Sequence, residues 1–305
     1  MDNQLVFRRL GTMLDCSRNA VPTVSSAKKW IDITSDIGYN TLLLYTEDTY
    51  EVDDNPYFGY MRGRFSQQEL QELDMYAVSK GMELIPCIQV LGHLGTIQRW
   101  PEYWPHFDAP DILLVGDERV YALIEKMFSS IAKCFTSKTI HLGMDEAHMI
   151  GRGRYYDQHG DTDRTQIMID HLKRIGEIGQ KYGFNFLMWS DMFFKLATNS
   201  LTYDSNAVIS DEVKSQIPDN VQLVYWDYYT ESKAEYDKIL NIHNQVKENT
   251  WFAGGLLSWT GFSPHNAYSM RLNETALASC RDNGVQDVFF CLWGDCGAEC
   301  SRFSL

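Results

Sequence analysis

Thr139-Ile140-His141-Leu142-Gly143-Met144-Asp145-Glu146 is a short aliphatic run that stops at a glycine and two acids. Stretches with helical periodicity flank it, residues 120–135 before and 165–182 after. A buried strand followed by an amphipathic helix is the repeating unit of a parallel sheet. The same alternation continues in both directions. Strands are expected at residues 6–14, 41–45, 83–90, 139–142, 184–188, 221–225, 252–257 and 287–292, with a further helix at 67–80. Eight such strands in one chain predict an α/β fold of the closed (β/α)8 TIM-barrel type rather than an open doubly wound sheet. No GxGxxG turn follows the first strand, which removes the main signal of a dinucleotide fold. After the eighth strand only residues 294–305 remain, so the eighth helix is expected to be truncated. The whole chain, 1–305, reads as a single barrel domain that fits a fragment of a longer multidomain protein. A missing last helix predicts exposed apolar surface on the first and eighth strands.

Composition narrows the partners. The 305 residues are 44% hydrophobic and 22% charged, ordinary for a globular domain. The formal net charge of −14 repels phosphate backbones, which argues against nucleic acid. The 7 cysteines are odd in number and show no CxxC spacing; Cys296 and Cys300 are the closest pair. The start of the chain, MDNQLVFRRLGTML, has no long apolar run after its arginines. Neither a signal peptide nor a membrane span is expected, and a reducing, cytoplasmic setting fits.

In such barrels the chemistry gathers at the C-terminal ends of the strands. There the sequence offers Asp15 and Arg18, then Glu47 and Asp48, then Gly92-His93, then Asp145-Glu146. The last four strands each deliver a tryptophan: Trp189, Trp226, Trp259 and Trp293. Four flat apolar walls beside acids and one arginine suit a carbohydrate, whose C–H faces stack while its hydroxyls find polar partners. Asp227, Tyr229 and Asp295 complete the candidate rim. Glycoside cleavage needs a general acid, and Glu146 is the candidate. Adjacent residues on a strand point to opposite faces, so Asp145 and Glu146 share the pocket only if the chain turns there. A side-by-side pair does not fit two carboxyls on opposite sides of a bond. It fits substrate-assisted catalysis, in which a 2-acetamido oxygen attacks the anomeric carbon. Asp145 would then hold the acetamide N–H, Tyr229 its oxygen, and Glu146 would protonate the leaving group.

The run His141 to Glu146 resembles the H-x-G-G-D-E motif of family 20 glycoside hydrolases, with Met144 in place of the second glycine. That resemblance implies an exo-β-N-acetylhexosaminidase barrel that needs no cofactor or metal and takes a small carbohydrate or glycoconjugate. It extends along most of the chain. Asp15 and Arg18 resemble the first-strand D-x-x-R, whose arginine binds ring hydroxyls. Gly92-His93 resembles the family's G-H, whose histidine joins the catalytic glutamate and an acid after the second strand, here Glu47 or alternatively Asp48. Asp227-Tyr228-Tyr229 resembles the D-x-Y that holds the acetamido group. Trp293-Gly294-Asp295 resembles W-x-E, which grips outer hydroxyls, with aspartate for glutamate.

Blander readings stand beside these. His141 points inward and reads as a satisfied core histidine. His141, Asp145, Glu146 and His148 could be read as a metal cluster, which would make the chain a metal-dependent hydrolase. A non-catalytic glycan-binding barrel is the other alternative. Trp100 and Trp104 wall an aglycone site or pack a surface loop. Asp191 reaches the pocket or caps the following helix. Arg152 and Arg154 read as a solvated loop.

Overall fold

The computed structural model describes residues 6–200 and 202–304. Eight parallel strands close into a barrel: β1 (Arg9–Asp15), β2 (Thr41–Glu47), β3 (Glu83–Ile88), β6 (Thr139–His141), β7 (Asn185–Trp189), β8 (Val221–Trp226), β9 (Trp251–Gly255) and β10 (Asp287–Leu292), with β10 paired back to β1. Between β3 and β6 the chain adds a small antiparallel hairpin, β4 (Phe107–Ala109) and β5 (Ile112–Leu113). The helices are α1 (Val24–Asp36), α2 (Gln67–Ser79), α3 (Glu118–Cys134), α4 (Arg154–His159), α5 (Arg164–Gln180), α6 (Asp191–Thr198), α7 (Asp211–Gln216), α8 (Lys233–Val246) and α9 (Asn266–Asp282). All eight expected strands are present, although β1 starts at Arg9 rather than Val6.

Alternation along each strand sorts the side chains into two layers. Met13, Leu43, Ile85, Leu187, Val224 and Phe289 fill the barrel interior. Their neighbours Leu42, Leu84, Ile140, Phe186 and Leu223 face outward into the larger core under the helices. Polar caps fix where helices begin. Ser66 and Glu69 form a reciprocal capping box on α2, and Asp117 and Asp163 accept backbone N–H groups at the starts of α3 and α5. No helix among the described residues is long and apolar enough to cross a membrane.

The expected apolar gap beside β1 and β10 is not found among the described residues. After β10 the backbone runs as a 3-10 segment, Asp295–Ser304, interrupted at Cys296 and Gly297. Even so, the outward residues Thr12, Leu14, Val288, Phe290 and Leu292 are buried. Neighbouring elements cover them. Trp30 of α1 donates its Nε1–H to Thr12 Oγ1 at 3.0 Å. Tyr39 meets Phe290 edge-on, with centroids 6.4 Å apart. Ala276 and Cys280 of α9 join Val288 in one cluster.

Candidate active site

The turn predicted after β6 is sharper than alternation alone allows. Gly143, Met144 and Glu146 all have left-handed backbones, with φ of 71°, 69° and 51°. This reversal sets the Asp145 and Glu146 side chains on the same rim. Gly143 has a second reason to be glycine. A Cβ there would stand 2.0 Å from Gln89 Oε1. Glu47, at the end of β2, and His93, in the loop after β3, are also left-handed, with φ of 46° and 56°. Three of the candidate charged groups thus share a conformation that non-glycine residues seldom adopt.

Hydrogen bonds hold that geometry. Gln89 accepts the Met144 N–H at 3.0 Å and donates to Asp145 Oδ1 at 2.8 Å and to Tyr45 Oη at 2.9 Å. Asp191 accepts the Glu146 N–H at 3.1 Å. Asp108 of β4 accepts the N–H groups of Gly151, Gly153 and Tyr155, so the hairpin braces the loop that follows Glu146.

Asp145 is buried, whereas Glu146 reaches the opening with its side chain 44% exposed. His93 Nε2 lies 3.2 Å from Asp145 Oδ2 and 3.7 Å from Glu146 Oε2. Burial pulls the imidazole pKa down, but the charge and contact of Asp145 win and lift it to about 9. Burial would raise the Asp145 carboxyl, yet His93 and Gln89 hold it well below the usual carboxylate range. The pair is therefore an imidazolium beside a carboxylate at neutral pH. Ligand atoms of His93, Asp145 and Glu146 all lie within 4.8 Å of one another, close enough to grip a metal ion. Neither His141 nor His148 belongs to this group.

Arg18 anchors the opposite side. It pairs with Glu47, lies 3.2 Å from Asp295 Oδ1 and 3.8 Å from Asp15 Oδ2, and stands over the rings of Tyr45 and Trp293. Glu47 is buried behind Arg18 and also accepts the Tyr45 hydroxyl at 3.0 Å. Burial raises its pKa. Asp48, the alternative acid, pairs instead with Arg62 at 3.3 Å. Asp15 accepts the Gly294 N–H at 2.8 Å, tying the rim of β1 to the rim of β10.

These groups surround a cavity of about 290 Å³ lined by Arg18, His93, Asp145, Glu146, Asp295, all four rim tryptophans, Tyr228 and Tyr229. Trp189 is its buried floor, and its Nε1–H has no partner among the described residues. Trp226 stacks on Tyr228 at 5.3 Å, and Trp259 meets Tyr228 edge-on at 5.3 Å.

Of the residues singled out from the sequence, Asp227 and Glu47 do not line this cavity. The Asp227 carboxylate is occupied by the Tyr225 hydroxyl and by Tyr229 N, Thr230 N and Thr230 Oγ1. It shapes the loop that carries Tyr229. Tyr228, which the sequence reading passed over, is buried against the cavity and directs its hydroxyl to Cys291. Alternation from Trp226 could have found it. Gln89 was also missed, and its signal was a polar residue inside an apolar strand. His141 is only half satisfied. Its Nδ1 accepts the Gly143 N–H at 3.0 Å, while Nε2 has no partner among the described residues. Burial pushes its pKa down to about 3, so it is neutral. Asp191 does not cap α6, whose N-cap is Ser190. It is fully buried, and burial lifts its pKa to about 6 despite Lys195 at 2.9 Å.

A closed parallel barrel with paired acids and aromatic walls at its C-terminal rim defines the chain as an α/β barrel with a tryptophan-walled, acid-lined site. Residues 7–241 match the model of the catalytic domain of glycosyl hydrolase family 20, and the chain belongs to that family. It is 24% identical over 226 residues to hexosaminidase D of Bos taurus, covering 69% of this chain and 60% of that protein. It is 23% identical over 244 residues to hexosaminidase D of Homo sapiens, covering 75% of this chain and 45% of that one. The chain thus spans about half the length of the curated relatives it matches. Its fold is similar to that of an exo-β-N-acetylglucosaminidase of Vibrio harveyi solved with N-acetylglucosamine, with a TM-score of 0.69 at 18% identity, covering 94% of this chain and 50% of that one. It is also similar to a β-N-acetylhexosaminidase of Bacteroides fragilis, with a TM-score of 0.69 at 18% identity, covering 96% and 62%.

Proposed function

We propose that this chain is the catalytic barrel of a retaining exo-β-N-acetylhexosaminidase that removes terminal β-linked GlcNAc or GalNAc by substrate-assisted catalysis. The observation that carries the reading is the pair Asp145–Glu146, adjacent in sequence yet turned onto one rim by left-handed backbone at Met144 and Glu146. Family membership supports the reaction class. The cavity volume, near the lower end of the roughly 300–1,000 Å³ usual for ligand pockets, suits one sugar ring and so an exo mode.

In this reading the sugar stacks among Trp226, Trp259 and Trp293 above the Trp189 floor. Arg18 and Asp295 take ring hydroxyls. Asp145 accepts the acetamide N–H and Tyr229 donates to its oxygen. Glu146 gives its proton to the glycosidic oxygen as the acetamido oxygen bonds to C1 and the C1–O bond breaks. The same carboxylate then takes a proton from the water that opens the oxazolinium ion. Asp145 stays ionised throughout, which suits the cationic intermediate.

Hydrolysis of nitrophenyl β-N-acetylglucosaminide beside the matching β-glucoside tests the reading. Turnover of the acetamido substrate alone is expected. Equal turnover of both would remove the acetamide as nucleophile, and the search would turn to a second carboxylate.

A further inference from the structure

Lys195 is a buried cation that the mechanism above leaves unused. It lies one helical turn after Asp191 on α6, the helix that starts directly behind the floor residue Trp189. Its side chain is only 4% exposed. Its Nζ is 2.9 Å from Asp191 Oδ2, 3.9 Å from Glu146 Oε1 and 5.6 Å from the centre of the Trp226 ring. Asp191 in turn holds the Glu146 N–H. One ion pair therefore grips Glu146 twice, its backbone through Asp191 and its carboxyl through Lys195.

We propose that Lys195 is a positioning residue for Glu146, whose ammonium stabilises the carboxylate that forms as Glu146 gives up its proton. The inference rests on the proposed hydrolase reading. Negative charge appears on Glu146 as the C1–O bond breaks and the proton passes to the leaving oxygen. A fixed cation in a water-poor wall is worth more at that moment than before it. The effect is one-sided. It helps proton donation and weakens the same carboxylate as a base toward water. Substrates with poor leaving groups, which depend on proton donation, gain from Lys195; activated aryl glycosides do not.

The other charged groups facing Glu146 are His93 at 3.7 Å from Oε2, its neighbour Asp145, His148 on its own segment and Asp111 beyond β4. Only Lys195 approaches Oε1 from α6. A plain structural role is the competing account, since Asp191 without Lys195 would be a lone buried charge.

The test compares Lys195→Met with the double variant Asp191→Asn/Lys195→Met, which leaves no charge buried alone and keeps an acceptor for the Glu146 N–H. Each is assayed on β-N-acetylglucosaminides with a nitrophenyl or an alkyl leaving group. The expected result in both variants is a kcat/KM loss on the order of tenfold on the alkyl substrate and little loss on the nitrophenyl one. An equal loss on both substrates, or recovery of the alkyl substrate in the double variant, overturns the proposal. Wild-type failure on every acetamido substrate overturns the hydrolase reading itself, and this inference with it.

Discussion

Gln89 Nε2 stands 2.8 Å from Asp145 Oδ1, while the same amide accepts the Met144 N–H at 3.0 Å. One buried side chain therefore fixes both the carboxylate and the backbone turn that aims it. Gln89→Leu is expected to lower kcat on the order of 100-fold, because Asp145 is freed to shift away from its working position. KM should change far less. The variant should also lose about 1–3 kcal/mol of stability, since the Met144 N–H and Asp145 Oδ1 are left without partners. Steady-state kinetics and urea unfolding on one preparation check both. An unchanged kcat would mean that His93 alone orients Asp145.

The His93–Asp145 pair should make stability depend on pH in a defined window. The folded imidazole titrates at about 9, above an unfolded value near 6.5. Its contribution is complete below about pH 6.5 and is lost as pH rises through about 9. A shift of this size corresponds to on the order of 3 kcal/mol. His93→Gln should therefore be much less stable than the wild type at pH 6, with the difference shrinking toward pH 9.5. Urea melts of both proteins at the two pH values measure it. A difference that stays constant with pH would count against the imidazolium.

The sequence reading reached the barrel because each strand carries a compact aliphatic run between turn residues, from Thr41-Leu42-Leu43-Leu44 to Val288-Phe289-Phe290. It reached Asp145, Glu146, His93 and the tryptophans because strand ends in a barrel converge. It did not reach the hairpin at Phe107–Leu113, whose strands are too short to show periodicity and are broken by Pro110. Gln89 stood out only as a polar residue in an apolar run, and its partner Met144 lies 55 residues away. The approach of Lys195 to Glu146 likewise spans 49 residues, so only the closed fold brings those two together. Asp227 sits at the expected rim position, where the hydroxyls of Tyr225 and Thr230 donate to its carboxylate.

Arg18 ties the two sides of the rim through Glu47 and Asp295. Arg18→Met should raise KM by on the order of tenfold or more and also destabilise the fold by roughly 3–5 kcal/mol, because Glu47 would be buried without its partner. Arg18→Lys should recover part of the stability but little of the KM. A single ammonium cannot span two carboxylates as the guanidinium fork does. Equal recovery of both quantities by lysine would show that charge alone matters there.

Met144 occupies a backbone position with φ of 69°, yet its side chain is fully buried in the outer core. Two effects oppose each other on truncation. Left-handed backbone costs a non-glycine residue roughly 1–2 kcal/mol, whereas removing a buried methionine side chain costs about 2–5 kcal/mol. Met144→Gly loses the packing but sheds the strain; Met144→Ala loses nearly the same packing and keeps it. Both variants should be less stable than the wild type, with glycine the better of the two by about 1 kcal/mol. Alanine ordinarily outranks glycine in folded chains, so this reversed order is the diagnostic. The Met144 N–H still reaches Gln89 in each variant, and kcat should stay within a few-fold. Chemical denaturation of the three proteins gives the order directly, and alanine above glycine would mean that the turn carries no strain.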